Sequence, residues 1–464
     1  MAATSSARTG TGPWDWDNVV IVYGQGGERL AEEVSGLIGL PSSACDTYRT
    51  PDGESHVRVG NNVRGRDVFV LQSTSAPVNT NLIELALILS ACRRANARRV
   101  SAVVPYLGYA RQTRKAKSRV PISAADVATL LEECCVDALI TIDLHDEQIA
   151  GFYSPMCAFD NLSFVSVAAR FLARKGFKSS VVVAPTASAV HSAMRLVQAL
   201  RDIVASDKAA KAAARAVGPG IDAAVGRSLS SASLSSHDQA SSVAADESSS
   251  APSPVGLRRQ SGGAGPQRAT DEHATLAMLL PNERRAAAVK ELELTGDVAG
   301  RDCILVDDLI DTGNTLVTAS RELIARGASC VVAFATHGLF SHHAAERLAR
   351  CEALSLIVIT NTVHTSLPAN HPLRRKLAIL SVGPMLAHHL CLVSGLPLPD
   401  IDALEPLHPL HAGGHTAEAQ ATPAYLLRKA EEATMFGPGS LRSGSEVDDD
   451  RISMTDSLTT ASEF

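Results

Sequence analysis

The sequence predicts an α/β protein made of two similar domains, each a mostly parallel sheet flanked by helices. Three observations carry that expectation. Short runs of Val, Ile and Leu alternate with stretches of helical spacing along most of the chain, the pattern of strands joined by helical crossovers. Of the 464 residues 45% are hydrophobic but only 4% aromatic, so the cores must be filled by Ala, Val, Leu and Ile, as suits strands buried on both faces. The alternation also falls into two similar blocks, which suggests a duplication without a literal repeat.

The elements follow in order. Residues 1–17 are small and polar and are expected to form a disordered leader. The first domain, 18–164, opens with the strand NVVIVYG (18–24) and the helix ERLAEEVSGLIGL (28–40). DVFVLQ (67–72), SAVVPY (101–106) and ALITIDL (138–144) are its further strands, with helices over 81–95 and 123–135. The second domain is expected over 165–205 and 282–397. Its strands are SSVVVAP (179–185), DCILVDD (302–308), CVVAFATH (330–337) and LSLIVITN (354–361), and its helices cover 191–202, 315–327 and 341–351. Between its two parts, 206–281 is Ala-rich and then Ser-rich, with too few large apolar groups to bury, and is expected to be a disordered insertion. The tail, 398–464, is expected to be mostly disordered.

Composition narrows the function. With 43 Lys and Arg against 49 Asp and Glu, the net charge of -6 gives no support for nucleic-acid binding. Nine cysteines show neither a C-x-x-C pair nor a Cys/His cluster at zinc spacing, so they read as free thiols of a reducing compartment. There is no apolar core of a secretory signal, and no apolar run of the ~20 residues that span a bilayer. A cytoplasmic protein without a membrane partner is the expectation.

The strongest local signal is CILVDDLIDTGNTL (303–316): a buried strand, two adjacent acids, a Thr-Gly-Asn-Thr turn, then a helix expected near Leu316. Backbone N–H groups of such a turn and helix N-terminus make an anion site that small residues let a phosphate approach. Thr312 and Thr315 add hydroxyl donors. Asp307 and Asp308, at the carboxyl end of the strand, are placed to accept hydrogen bonds from ribose hydroxyls. Glycine would serve best at 314, and Asn is the next most tolerant of a left-handed backbone. The plainer reading is an ordinary strand–turn–helix with acidic capping residues.

This loop resembles the one shared by type I phosphoribosyltransferases and phosphoribosyl-pyrophosphate (PRPP) synthetases. The synthetase resemblance is the longer. PDGESHVRV (51–59), residues 63–95, VVPYLGYARQTRKAKSRVPISAADVATLLE (103–132) and ITIDLHDEQIAGFY (140–153) are similar to family segments in order, as are 296–316, FATHGLFS (334–341), ITNT (359–362) and LSVGPMLA (380–387). The resemblance implies two phosphoribosyltransferase-type domains and a ribose-phosphate pyrophosphokinase, a Mg²⁺-dependent transferase of nucleotide biosynthesis. It would move pyrophosphate from ATP to ribose 5-phosphate, giving PRPP and AMP, in homo-oligomers or in hetero-oligomers with a paralogue.

The resemblance also implies roles for single residues. Asp52, Glu54, Arg111, Gln112 and Arg114 would bind ATP, with Asp52 and Glu54 in a turn serving the nucleotide. Asp307, Asp308, Asp311, Thr312, Gly313, Asn314 and Thr315 would bind ribose 5-phosphate. Asp143, His145 and Asp160 would lie at the metal, and Arg284 and Arg285 would belong to a catalytic loop. Four positions depart from the family pattern: Thr50 where an aromatic stacks on adenine, Ser154 and Thr186 where acids stand, and Glu283 where a lysine stands. Thr186 brings no charge to a Mg²⁺, and a carboxylate at 283 would oppose a phosphoryl transition state. These departures are similar to those of the PRPP synthetase-associated proteins, so a non-catalytic regulatory subunit that binds active synthetases is the alternative. Those relatives usually have a degraded sugar-phosphate loop, which this chain keeps.

Overall fold

The computed structural model describes residues 18–115, 117–216, 274–281 and 292–399. The first sheet has six parallel strands in the order β2-β1-β5-β6-β7-β8. They are β1 (Val19–Tyr23), β2 (Ser42–Ala44), β5 (Asp67–Leu71), β6 (Arg99–Val104), β7 (Ala138–Ile142) and β8 (Ala158–Leu162). Helices α1 (Glu28–Ile38), α2 (Val78–Arg94) and α3 (Ser123–Glu133) cross between them. A hairpin, β3 (Asp46–Arg49) with β4 (Ser55–Arg58), stands apart as an antiparallel pair.

The second sheet has seven strands in the order β11-β10-β9-β12-β13-β14-β15. These are β9 (Val181–Ala184), β10 (Thr275–Pro281), β11 (Leu292–Thr295), β12 (Asp302–Ile310), β13 (Cys330–Gly338), β14 (Leu356–Thr360) and β15 (Leu377–Leu380). Only the β10–β11 pair is antiparallel. Around the sheet run α4 (Val165–Arg174), α5 (Val190–Ala216), α6 (Asn314–Ala325), α7 (Ala344–Ala349) and α8 (Gly383–Ser394). Set aside the β3–β4 hairpin and the antiparallel β11, and the two sheets have one topology. In each, the chain's second strand takes the edge, then the first, then the remaining four in sequence order.

Strands β1, β7, β9, β13 and β14 are buried along their whole length, which is why they appear in the sequence as mostly aliphatic runs. Each sheet has its own aliphatic core, one around Val70, Leu89 and Leu139 and the other around Leu305, Val331 and Ile357.

Both ends of the segment 206–281, expected to be disordered, form regular structure. At one end the Ala-rich stretch continues α5 to Ala216, in keeping with alanine's helix propensity. At the other, TLAMLLP is the strand β10, in register with β9 from Thr275 against Val181, with Ala274 and Leu279 fully buried. The helix after the Thr-Gly-Asn-Thr turn begins at Asn314, two residues before the expected Leu316, and the left-handed residue is Gly313 (φ 73°) rather than Asn314. The leader 1–17 and, beyond its first two residues, the tail lie outside the described residues, as do Glu283, Arg284 and Arg285.

Candidate active site between the two sheets

The carboxyl ends of β6, β7, β12 and β13 face one another across the junction of the two sheets. Asp307 and Asp308 lie near the end of β12, and Asp311 and Thr312 in the turn beyond it. His145 follows β7, and its Nδ1 lies 2.7 Å from Asp308 Oδ2. Arg111, in the loop after β6, donates from Nη1 to Asp311 Oδ2 at 2.7 Å. The space between Arg111, His145 and Asp308, lined also by Tyr106, Leu309 and His337, measures only about 10 Å³, room for about one water.

A hydrogen-bonded latch holds the two sheets at this point. His337 is buried on β13 (3% exposed), and its Nε2 lies 3.1 Å from Ile142 O and 3.2 Å from Asp143 O. Carbonyls only accept, so Nε2 carries the proton. Burial holds the ring's pKa below its usual value, so it is neutral and Nδ1 accepts from Thr362 Oγ1 at 2.8 Å. Tyr106 meets the same ring edge-on at 5.0 Å between centroids. Asp143 adopts a left-handed backbone (φ 40°), and its Oδ2 accepts from Phe164 N at 3.0 Å and from Thr336 Oγ1 at 2.7 Å. Neither Tyr106 nor His337 stands out in the sequence. A histidine inside a fully apolar strand is the one signal that could have marked the latter.

The electrostatics separate the two adjacent acids. Burial and the neighbouring charge of Asp308 push Asp307 up to about 8. Burial also works to raise Asp308, but the hydrogen bond and charge of His145 outweigh it and hold that carboxyl below its ordinary value. His145 is raised in turn, chiefly by its bond to Asp308. Asp311 is likewise held low, the Arg111 contact overcoming its burial. Near neutral pH the pair on β12 therefore presents one carboxylate and one carboxylic acid, an acceptor beside a donor.

The remaining expected residues divide by place. Gly313 is buried and Asn314 and Thr315 are exposed at the start of α6, where Arg347 donates to the Thr312 carbonyl. Arg347 was not singled out from the sequence; it ties the turn before α6 to α7. Gln112 accepts from Ser123 Oγ at 2.5 Å, and Arg114 is exposed in the same loop. Asp52 and Glu54 lie at the tip of the β3–β4 hairpin, where Thr50 hydrogen-bonds Asp52 and Glu54 helps line a separate depression of about 500 Å³. Asp160 pairs with His389 Nε2 at 3.1 Å.

Asp143, His145 and Asp160 do not converge, and among the described residues no group of three or more His, Cys, Asp or Glu could hold a metal ion. The donor set fits a Mg²⁺ that arrives on substrate phosphates and takes one or two protein ligands, not a preformed cage. Thr186 works as a turn residue: its Oγ1 accepts from Ala189 N at 3.3 Å and pairs with Ser188 Oγ at 3.1 Å, just before α5. Ser154 N donates to Glu132 Oε1 at 2.7 Å, which brings another carboxylate near the position of the missing acid.

Known proteins resemble this arrangement over most of its length. Residues 19–134 match the family model for the N-terminal domain of ribose phosphate pyrophosphokinase, and residues 232–390 match that of the phosphoribosyl synthetase-associated domain. The ribose-phosphate pyrophosphokinase of Vibrio parahaemolyticus is 34% identical over 360 residues, which cover 77% of this chain and 90% of that protein. That of Pasteurella multocida is 34% identical over 372 residues, covering 80% and 94%. The solved structure of phosphoribosylpyrophosphate synthetase from Mycobacterium smegmatis superposes with a TM-score of 0.59 at 27% identity, covering 81% of this chain and 98% of that one.

Proposed function

This chain belongs to the ribose-phosphate pyrophosphokinase family, and on that footing we propose that it transfers pyrophosphate from ATP to ribose 5-phosphate in the cleft between its two sheets. One observation carries the placement. The acids of β12 and the turn that begins α6 face Arg111 and His145 across the junction, so a sugar-phosphate site and a polyphosphate-binding loop share one space.

The anomeric hydroxyl attacks the β-phosphorus of ATP, the bond to the α-phosphate oxygen breaks, AMP leaves, and the hydroxyl proton is released. Asp308 and the protonated Asp307 would orient the ribose hydroxyls, one accepting and one donating. Thr312, Gly313, Asn314 and Thr315 would hold the 5-phosphate at the head of α6, with Asp311 beside them. Arg111, Gln112 and Arg114 would bind the ATP phosphates, and freeing Arg111 from Asp311 would deliver a guanidinium to the transferring group. Mg²⁺ on the ATP phosphates would neutralise charge that develops in transfer, with Asp143 and His145 as the residues to hold it and Asp160 nearby on β8. Arg284 and Arg285 would complete the catalytic loop.

The β3–β4 hairpin carries Asp52 and Glu54 away from the residues that line this cleft. That separation favours an ATP site completed by a neighbouring subunit, hence an oligomer. No helix among the described residues is long and apolar enough to cross a membrane.

The reading is tested with ATP labelled in its β-phosphorus. The label should appear in a sugar diphosphate when ribose 5-phosphate and Mg²⁺ are present. Binding of both substrates with no label transferred would instead support the regulatory subunit.

A further inference from the structure

The shared topology of the two sheets has a geometric consequence. With β1, β5 and β7 matching β9, β12 and β14, the junction holds two clefts built from equivalent strands of the two sheets. In the first, the ends of β7 and β12 meet. In the second, the ends of β14 and β5 meet, where Ser73 Oγ donates to Thr362 O at 2.8 Å. The second cleft is the open one. It measures about 640 Å³ and is bounded by the β1–α1 turn, the end of β5 and the segment after β14.

Its chemistry differs from that of the first. The turn after β1 has glycines, but its amides are already spent: Gln25 N donates to Glu84 Oε1 at 2.6 Å and Gly26 N to Gln72 Oε1 at 3.0 Å. Gly27 N is bonded within the turn, to Gly24 O at 3.0 Å. Glu28, Glu32 and Glu33 line the cavity against one guanidinium, Arg29. Glu33 is tied down by Asn361 Nδ2 at 3.0 Å and by Ser381, which leaves Glu28 and Glu32 to face an incoming ligand. A phosphate would meet three carboxylates against one guanidinium, so phosphorylated ligands are disfavoured.

What remains is an apolar wall of Leu30, Pro105, Val363 and Ile379 beside carboxylates and hydroxyls. The hydroxyl of Thr365, another lining residue, is buried with no hydrogen-bond partner. The volume is that of a small-molecule site. We infer that this second cleft binds an unphosphorylated nucleoside, its base against the apolar wall and its ribose hydroxyls donating to Glu28 and Glu32. The site is separate from the proposed substrate cleft, and its ligand would bear on the same junction that the His337 latch holds.

Titration calorimetry on the full-length protein tests this with adenosine, AMP and ribose as probes, repeated with His364→Trp, which fills the cavity mouth from an exposed position. Adenosine should bind, and His364→Trp should abolish that binding while leaving ribose 5-phosphate-dependent turnover unchanged. AMP and ribose should each bind this site more weakly by about tenfold or more. Replacing Glu28 and Glu32 by Lys should shift the preference toward AMP. Adenosine binding that survives His364→Trp, AMP or ribose binding there as tight as adenosine, or no adenosine binding at about 1 mM would each overturn the inference.

Discussion

Replacing His337 by Leu removes the latch and little else. The ring's Nε2–H is shared between Ile142 O and Asp143 O at 3.1 and 3.2 Å, and both carbonyls belong to the far sheet. Leaving such buried acceptors without a donor costs roughly 1–3 kcal/mol. The Nδ1 contact with Thr362 adds little, because the Thr362 hydroxyl can turn its proton to Thr336 O, 3.2 Å away. The expected loss is therefore about 1–3 kcal/mol, read from urea unfolding followed by far-UV circular dichroism. The neutral ring also fixes a sign with pH. Its pKa is depressed in the fold, so its contribution is whole above the unfolded value near 6.5 and is lost as pH falls toward the folded one. His337→Leu should remove that part of the acid sensitivity. A loss below about 0.5 kcal/mol, or an unchanged acid limb, would refute this account of the latch.

Three further outcomes follow from the cleft. Arg111→Ala removes a half-exposed ion pair with Asp311, so stability should change by no more than about 1 kcal/mol while turnover falls ~10²–10³-fold; a large stability loss with normal turnover would contradict the role given to it. In chelator-treated protein, NMR titration should place His145 above 6.5, and Asp308→Asn should lower it, since the Asp308 bond is the largest cause of the shift. The stability from that pair is whole below the unfolded pKa and fades as pH rises through the folded one. Thr186→Asp can keep the hydrogen bond to Ala189 N while adding charge. It should raise turnover and lower the Mg²⁺ concentration needed, and Thr186→Asn should do neither.

Much of the fold was legible because its central strands are buried on both faces. β13, nine residues with every one buried, opens with six apolar residues in a row before its first polar position, Thr336. The edges were harder. β2 and the β3–β4 hairpin are partly exposed, so their residues carry no periodic apolar signal. β10 was lost inside a composition average dominated by its Ser-rich neighbours. In the site, the loop around Asp307, Asp308 and Asp311 could be read because its parts are consecutive. Its partners could not be read from spacing: His145 and Asp308 are 163 residues apart, and Arg111 and Asp311 are 200 apart. Only the packing of one sheet's carboxyl ends against the other's brings them together. The hydroxyl of Thr186 also has a turn-closing bond that the comparison of residue types does not suggest.

The measurement that bears most directly on the whole is AMP release by the purified chain supplied with ATP, Mg²⁺ and ribose 5-phosphate. Release should depend on the sugar phosphate and match the PRPP formed mole for mole. No AMP from the chain alone, together with altered turnover when it is mixed with an active family member, would contradict the catalytic account.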